Sequence, residues 1–224
     1  MKRACLSLSA EILWVGLLIR CFQLLKMTPE SGAPDLYLAS ASPRRAELLT
    51  QLKLDFEVLR VDVPELIDAG ESAEVFAIRV ALDKARAGLS ALEYQPGRPV
   101  LGADTCVVVE GRVLGKPRDR EHAAEMMHLL SGCEHRVMTS VAVVNGEREQ
   151  TRLSVSHVHF RELSESEIGA YWETGEPLGK AGGYAVQGQA AQFIERLEGS
   201  YSGVMGLPLY ETAELLTVFG VGLL

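Results

Sequence analysis

The sequence predicts an α/β fold, with strands and helices alternating along one compact unit of two lobes. Three observations predict it. Short strand-like runs alternate with helix-length segments that carry their own start signals. The run Val100-Leu101-Gly102-Ala103-Asp104-Thr105-Cys106-Val107-Val108-Val109 is largely apolar on both faces, as a central covered strand is. The chain has 224 residues, 47% of them hydrophobic, enough for one large domain or two small lobes. No internal repeat or obvious linker divides it.

The elements follow in order. Residues 36–40 read as a strand. Ser42 is a suitable N-cap and Pro43 suits the first helical position, opening a helix over 43–52. Residues 56–61 alternate like a strand. Ser72 caps a helix to about Leu89, with Val75, Ile78, Leu82, Ala85 and Leu89 on one stripe. Residues 99–109 form the central strand, ended by a turn at Glu110-Gly111. Asp119 caps a helix through Leu130, stopping before Gly132. Val137 to Val144 and residues 149–160 read as a hairpin, with Asn145-Gly146 as a type I′ turn. Ser164-Glu165-Ser166-Glu167 fits a capping box for a helix to about Glu173. The Gly-rich stretches 179–188 and 199–208 follow, and a last helix runs to about Phe219.

Charge and cysteine usage exclude several classes. The net charge of −8 argues against nucleic-acid binding, which needs a basic surface. A small anion in a local basic pocket remains compatible with it. Cys5, Cys21, Cys106 and Cys133 form no CxxC pair, so reduced thiols in a cytoplasmic protein are expected. His157 and His159 should share an exposed strand face. The apolar run in residues 1–26 is broken by Glu11 and Arg20 and falls short of the roughly 20 clean residues of a membrane span. Arg20 and the lack of a small-residue cleavage pattern also spoil a signal peptide. Met27 offers an alternative start. Residues 1–35 are therefore expected to be an extension outside the fold, with 1–26 dispensable and 36–219 forming a single two-lobed domain.

The run Ser40-Ala41-Ser42-Pro43-Arg44-Arg45 holds the first chemical signal. It places Arg44 and Arg45 in a first helical turn, where unpaired N–H groups and the dipole are already positive. A phosphate chain gripped by both guanidinium groups would offset that charge. Asp104 in a buried strand is costly unless paired, hydrogen-bonded or metal-bound. Glu65, expected at the end of another strand, could complete a carboxylate pair for Mg²⁺. Lys84 on the Ser72 helix and Lys116 just past a strand would ordinarily read as solvated lysines. Gly115-Lys116-Pro117 lacks the spacing and the Ser/Thr of a Walker loop, and no GxGxxG opens the first helix. Lys180 and Gln187 flank glycines that let backbone approach a ligand, and the Gln187 amide suits the edge of a pyrimidine base.

Together these stretches resemble the Maf family of nucleoside triphosphate pyrophosphatases. The matching segments are LASASPRR (38–45), DVPE (62–65), DKARAG (83–88), LGADT (101–105), LGKPRD (114–119), GKAGGYAVQG (179–188) and GSYSGVMGLPLYET (199–212). The resemblance implies a two-lobed Maf/ITPase-like fold, with a mixed curved sheet flanked by helices and a central cleft. It implies hydrolysis between the α- and β-phosphates, assisted by Mg²⁺ or Mn²⁺, in a cytoplasmic homodimer. On the matching positions it assigns Ser40, Arg44 and Arg45 to the phosphates, and Lys84 and Lys116 to developing charge. Glu65 and Asp104 would hold the metal, with Asp104 as the proton acceptor. Arg44, Thr105 and Gln187 match the branch that favours dTTP and UTP, and Lys180 joins the substrate-binding set. The alternative is a nucleotide-sensing regulator of cell division and septum formation with incidental catalysis. Carboxylates beside the phosphates favour the enzyme, since a pure anion binder gains nothing from them.

Overall fold

The computed structural model describes residues 32–92 and 97–223; the start at Met27, the run 1–26, Cys5 and Cys21 lie outside them. The elements are β1 (Leu36–Ala39), α1 (Pro43–Thr50), β2 (Phe56–Leu59), α2 (Ala73–Ala91), β3 (Val100–Val109) and β4 (Arg112–Leu114). They continue with α3 (Arg120–Leu130), β5 (Glu134–Val144), β6 (Glu149–Phe160), α4 (Glu165–Glu173), β7 (Ile194–Glu198), α5 (Tyr201–Met205) and α6 (Leu209–Val218). Two short 3₁₀ turns lie at Ala181–Gly183 and Gln189–Phe193.

The strands form one mixed sheet in the order β2-β1-β3-β5-β6-β7, with β4 also on β3. β1 pairs parallel with β2 and β3, and the other pairings are antiparallel. The edge of β3 away from β5 decides where the cleft opens. β1 covers residues 100–102 of that edge and β4 covers residues 107–109. Residues 103–106 have no strand partner there among the described residues. The sheet forks at this point, and Asp104 and Thr105 stand in the fork. The segments that follow β1 (Ser40 onward) and β4 (Gly115 onward) both leave their strands at the same gap. Ligands of open α/β sheets bind where strand order diverges in this way.

β3 and β5 run through two lobes. On one side of the fork Leu36, Leu38, Leu48, Leu49, Leu101, Val141, Leu215 and Leu216 form a core. On the other, Val107, Leu114, Met126, Met127, Leu130, Phe160, Tyr171 and Phe193 form a second. Strand alternation divides the site residues as well. Asp104 shares a face with Val100, Gly102, Cys106 and Val108, the face covered by α2. Thr105 points the opposite way, directly across from Thr139 on β5.

Helix α2 departs from its expected stripe. Val75 is 56% exposed, and the buried face is Phe76, Ala77, Val80, Ala81, Lys84, Ala85 and Gly88. The reason is close packing. α2 lies so near β3 that a Cβ at Gly102 would meet the Ala81 carbonyl oxygen and come within 2.6 Å of the Ala85 nitrogen. Only small residues fit that seam, whereas the branched side chains Ile78, Leu82 and Leu89 flank it, partly buried. The rotation turns Lys84 inward.

Other local readings hold with adjustments. Ser72, Asp119 and Ser164 cap their helices through their side chains, and the Ser164–Glu167 capping box is complete. Ser42 occupies the N-cap of α1 without a side-chain cap; instead its N–H donates to Ser40 Oγ at 3.2 Å. The β5–β6 hairpin does not turn through a type I′ pair at Asn145-Gly146. Asn145 does not adopt positive φ; its carboxamide oxygen accepts the Glu147 and Arg148 N–H groups, and Gly146 (φ 84°) takes the first central position, as in a type II′ turn. The last expected helix is α6, and a further short helix, α5, lies inside the Gly-rich stretch 199–208. His157 and His159 pair with Glu134 and Glu195 on a partly exposed strand face. Burial pushes the Cys106 thiol up to about 12, against the formation of a reactive thiolate.

Candidate active site

All ten side chains singled out in the sequence line one open cleft of about 350 Å³ at the fork: Ser40, Arg44, Arg45, Glu65, Lys84, Asp104, Thr105, Lys116, Lys180 and Gln187. Five cations face two carboxylates there, on a chain whose net charge is −8. The cleft is a local inversion of the protein's charge, suited to a polyanion.

Its floor is a carboxylate–lysine relay. Asp104 Oδ1 accepts from Lys84 Nζ at 2.7 Å, and both side chains are buried. Lys84 Nζ also lies 2.6 Å from Glu65 Oε1, while Lys116 Nζ donates to Glu65 Oε2 at 2.7 Å. A lone lysine or aspartate in this seam would carry a large desolvation cost, and their pairing offsets it. Burial raises the Glu65 pKa, but the contacts from Lys116 and Lys84 outweigh it and hold the carboxyl at about 2.

Glu65 is not at a strand end. β2 stops at Leu59, and Glu65 sits in the segment of irregular backbone before α2. Pro64, without an N–H to donate, suits such a segment. Arg79 of α2 holds this segment by donating to the Leu66 carbonyl at 2.9 Å and forking onto Glu71 through two 2.7 Å bonds. A strand was unnecessary to place Glu65 because the arginine fork does so.

The wall opposite α2 is built on Arg45. Its Nε donates to the Gly206 carbonyl at 2.8 Å, Nη1 to Ser40 Oγ at 3.3 Å and Nη2 to Thr105 Oγ1 at 3.2 Å. Thr139 Oγ1 donates to the Gly203 carbonyl at 2.7 Å and lies 2.9 Å from Thr105 Oγ1. A hydroxyl has one proton, so Thr105 donates to Thr139 and accepts from Arg45. Thr105 thereby fixes the guanidinium, a supporting position that its sequence context did not disclose. Ser40 Oγ accepts twice, from Arg45 and from the Ser42 N–H, which leaves its own proton for a ligand oxygen. Burial lowers the Arg45 pKa, opposed by the charges of Asp104 and Glu65.

Arg44 and Lys180 are cleft cations without an ion-pair partner among the described residues. Arg44 is half-buried and has no hydrogen-bond or ion-pair partner among the described residues. The Lys180 ammonium donates to the Glu176 carbonyl, and its pKa is lowered by burial and then by the nearby Arg44 charge. Two crowded cations with no acid between them are what an anion would relieve. Gln187 is exposed at the rim, its amide free among the described residues.

No cluster of three or more His, Cys, Asp or Glu side chains occurs among the described residues. Among the described residues that line the cleft, the carboxylates open to a divalent cation are Glu65 and Asp104. The pair fits one: both carboxylates converge on a single positive centre, now Lys84 Nζ, and Asp104 Oδ2 has no hydrogen-bond partner among the described residues. Two carboxylates completed by substrate phosphates and water make an ordinary Mg²⁺ set.

Three contributors escaped the sequence reading. Thr139 and the carbonyls of Gly203 and Gly206 act through Arg45. Thr139 carried a signal of the same kind as Asp104, a polar residue inside an apolar strand run, whereas backbone carbonyls leave none.

Fold and cleft together define an α/β protein shaped to receive a polyanion and equipped with a buried carboxylate beside it. The chain belongs to the family described as Maf-like protein, whose family model matches residues 35–219. A protein of Alkalilimnicola ehrlichii named dTTP/UTP pyrophosphatase is 57% identical over 198 residues, 87% of this chain and 97% of its own. Proteins of the same name from Saccharophagus degradans and Aromatoleum aromaticum are 53% and 50% identical, over 85% and 83% of this chain and 91% and 95% of theirs. The solved structure of the Staphylococcus aureus Ham1 protein is similar more loosely, with a TM-score of 0.44 and 14% identity over 82% of this chain and 96% of that one. No helix among the described residues is long and apolar enough to cross a membrane.

Proposed function

We propose that the protein hydrolyses dTTP and UTP between the α- and β-phosphates, releasing the nucleoside monophosphate and pyrophosphate. The observation that carries this reading is the convergence of Asp104, Lys84, Glu65 and Lys116 with Arg44, Arg45 and Lys180 in one cleft. Similarity to proteins named dTTP/UTP pyrophosphatase supports the substrate class.

In this reading Arg44, Arg45, Lys180 and the Ser40 hydroxyl bind the triphosphate and hold its reacting bond over Asp104. Positioning and charge neutralisation supply most of the catalysis of phosphate-bond hydrolysis. Asp104 Oδ1 is fixed by Lys84, so Oδ2 is the oxygen that takes the proton from water as the new P–O bond forms and the bridging bond breaks. Glu65 then matters twice. When Asp104 becomes neutral, Lys84 keeps a counter-charge at 2.6 Å and is not stranded in the seam. Lys116, more exposed, neutralises charge on the departing pyrophosphate. Glu65 and Asp104 would hold Mg²⁺ or Mn²⁺, which when bound polarises phosphate oxygens and lowers the pKa of water. Gln187 would read the pyrimidine edge. The same reading places the protein in the cytoplasm, with its nucleotide pool, as a homodimer.

The test is pyrophosphate release across a nucleotide panel with Mg²⁺ or Mn²⁺. Turnover of dTTP and UTP well above ATP and GTP is expected. Turnover confined to purine triphosphates would overturn the substrate class. Tight binding with no turnover of any triphosphate would favour the sensor.

A further inference from the structure

Glu176 is a partly buried carboxylate close to the cleft that the proposed chemistry does not use, and its two oxygens accept three hydrogen bonds. Its Oε1 accepts from Tyr171 Oη at 2.8 Å and from the Ala190 N–H at 3.1 Å, and its Oε2 accepts from the Gln189 N–H at 2.8 Å. The three donors come from α4 and from the 3₁₀ turn that begins one residue after Gly188. At Gly188 the backbone presses against the same carboxylate, so closely that an added Cβ would overlap both Glu176 oxygens. The Glu176 main chain is engaged too, since its carbonyl accepts from Lys180 Nζ.

One residue therefore ties both functional ends of the segment 179–188. Its carbonyl holds the cation that lines the phosphate end of the cleft, and its side chain anchors the backbone immediately after Gln187. The carboxylate stays ionised there. Burial works against its charge, but the Gln189 N–H, the Tyr171 hydroxyl and the Ala190 N–H together bring its pKa below the usual value. Glu176 does not itself line the cleft.

We propose that Glu176 is a positioning residue for base selection: its carboxylate clamps the Gly188–Ala190 backbone and so fixes Gln187 against the pyrimidine edge. The inference rests on the dTTP/UTP reading above and adds to it a determinant remote from substrate. The Glu176 clamp acts on the base end, whereas the phosphate grip of Arg44 and Arg45 and the reacting carboxylate Asp104 lie on α1 and β3. Loosening it should change which base is accepted before it changes the rate of the chemical step.

The experiment compares wild-type protein with E176A, E176Q and G188A. It measures kcat and KM for UTP, dTTP, ATP and GTP, inhibition by inorganic pyrophosphate, and the melting temperature of each protein. For E176A, KM for UTP and dTTP is expected to rise about tenfold, the worth of one charge-assisted hydrogen bond. The ratio of kcat/KM for UTP over ATP should fall by a similar factor, with kcat and pyrophosphate inhibition near wild type. E176Q keeps one accepting oxygen but points amide hydrogens at an N–H, so its losses should lie between. G188A keeps the Glu176 side chain but drives its carboxylate off the 188–190 backbone, because the added Cβ overlaps both oxygens, and it should reproduce the loss of selectivity. If E176A is destabilised, G188A and E176Q carry the comparison at a temperature well below their melting points. Unchanged UTP-over-ATP selectivity in E176A and G188A, in a wild type that prefers pyrimidines, would overturn this inference alone. A kcat loss equal for all nucleotides would overturn it as well. A wild type that shows no pyrimidine preference would instead overturn the substrate reading and this inference with it.

Discussion

Gly102→Ala should separate α2 from β3 and disable the cleft without altering any residue that lines it. A Cβ at Gly102 lies 2.6 Å from the Ala85 nitrogen and 3.0 Å from the Ala85 Cβ, and also overlaps the Ala81 carbonyl oxygen. These obstacles are helix backbone, which cannot rotate away as a side chain can. Opening the 2.6 Å contact to the 3.4 Å of ordinary packing moves α2 outward by about 0.8 Å. Overpacking of this kind costs about 1–3 kcal/mol of folding stability. Lys84 rides on the same turn of α2, 2.7 Å from Asp104 and 2.6 Å from Glu65. A shift of that size stretches both contacts past good hydrogen-bond length and should lower kcat about tenfold to a hundredfold. Urea unfolding and pyrophosphate release with saturating UTP measure the two effects. Gly169→Ala is the matched control. It lies inside α4, its Cβ would meet only Arg120 Nη2 at 3.8 Å, and removing a helical glycine should stabilise by about 0.5–1 kcal/mol. A G102A protein with the wild-type urea midpoint and wild-type kcat would refute the claim that a glycine seam sets the Lys84–Asp104 contact.

Four further outcomes follow from the same geometry. Asp104→Asn should lower kcat by about 10²–10⁴ while nucleotide binding, read by calorimetry, stays near wild type; near-normal turnover would remove Asp104 as the proton acceptor. Arg44→Ala should weaken triphosphate binding by about 1.5–3 kcal/mol and leave the melting temperature unchanged, because Arg44 makes no hydrogen bond within the described fold. Arg45→Ala should lower both, since it orphans the Gly206 carbonyl; equal melting temperatures for the two variants would contradict that division. Glu65 has a folded-state pKa of about 2 against an ordinary 4.5, so its ionised form stabilises the fold fully above 4.5 and progressively less as pH falls towards 2. The stability gap between wild type and Glu65→Gln should therefore be full near neutral pH and narrower at about pH 3; a gap unchanged by acid would argue against the lysine pairing.

Much of the fold was legible because its signals are local. Ser72, Asp119 and the Ser164–Glu167 box announce helices through hydrogen bonds that span three or four residues. The buried run of β3 showed itself by being apolar on both faces. The stripe on α2 was misread because periodicity reports which residues are apolar, not which are small. Packing against β3 selected Ala77, Ala81, Ala85 and Gly88 and left Val75 in water. The hairpin turn slipped by one residue because Asn145 used its side chain to satisfy backbone N–H groups rather than adopting positive φ. Glu65 was placed on a strand because nothing in its own neighbourhood reveals the Arg79 fork that holds it.

The sequence by itself determined which chemical groups this protein has to work with. Arginines at a helix start, an aspartate inside an apolar strand and lysines beside glycines are each out of place unless something offsets them, and that is a local energetic fact. Only the tertiary structure decided that they meet. The gap between β1 and β4 along β3 opens the cleft, the small-residue seam of α2 delivers Lys84 to Asp104, and carbonyls from 203 and 206 hold the Arg45 wall. The Lys84, Thr139 and Arg45 contacts join residues from 20 to 161 positions apart. They depend on how closely backbones approach, which no pattern of side-chain types along a chain encodes.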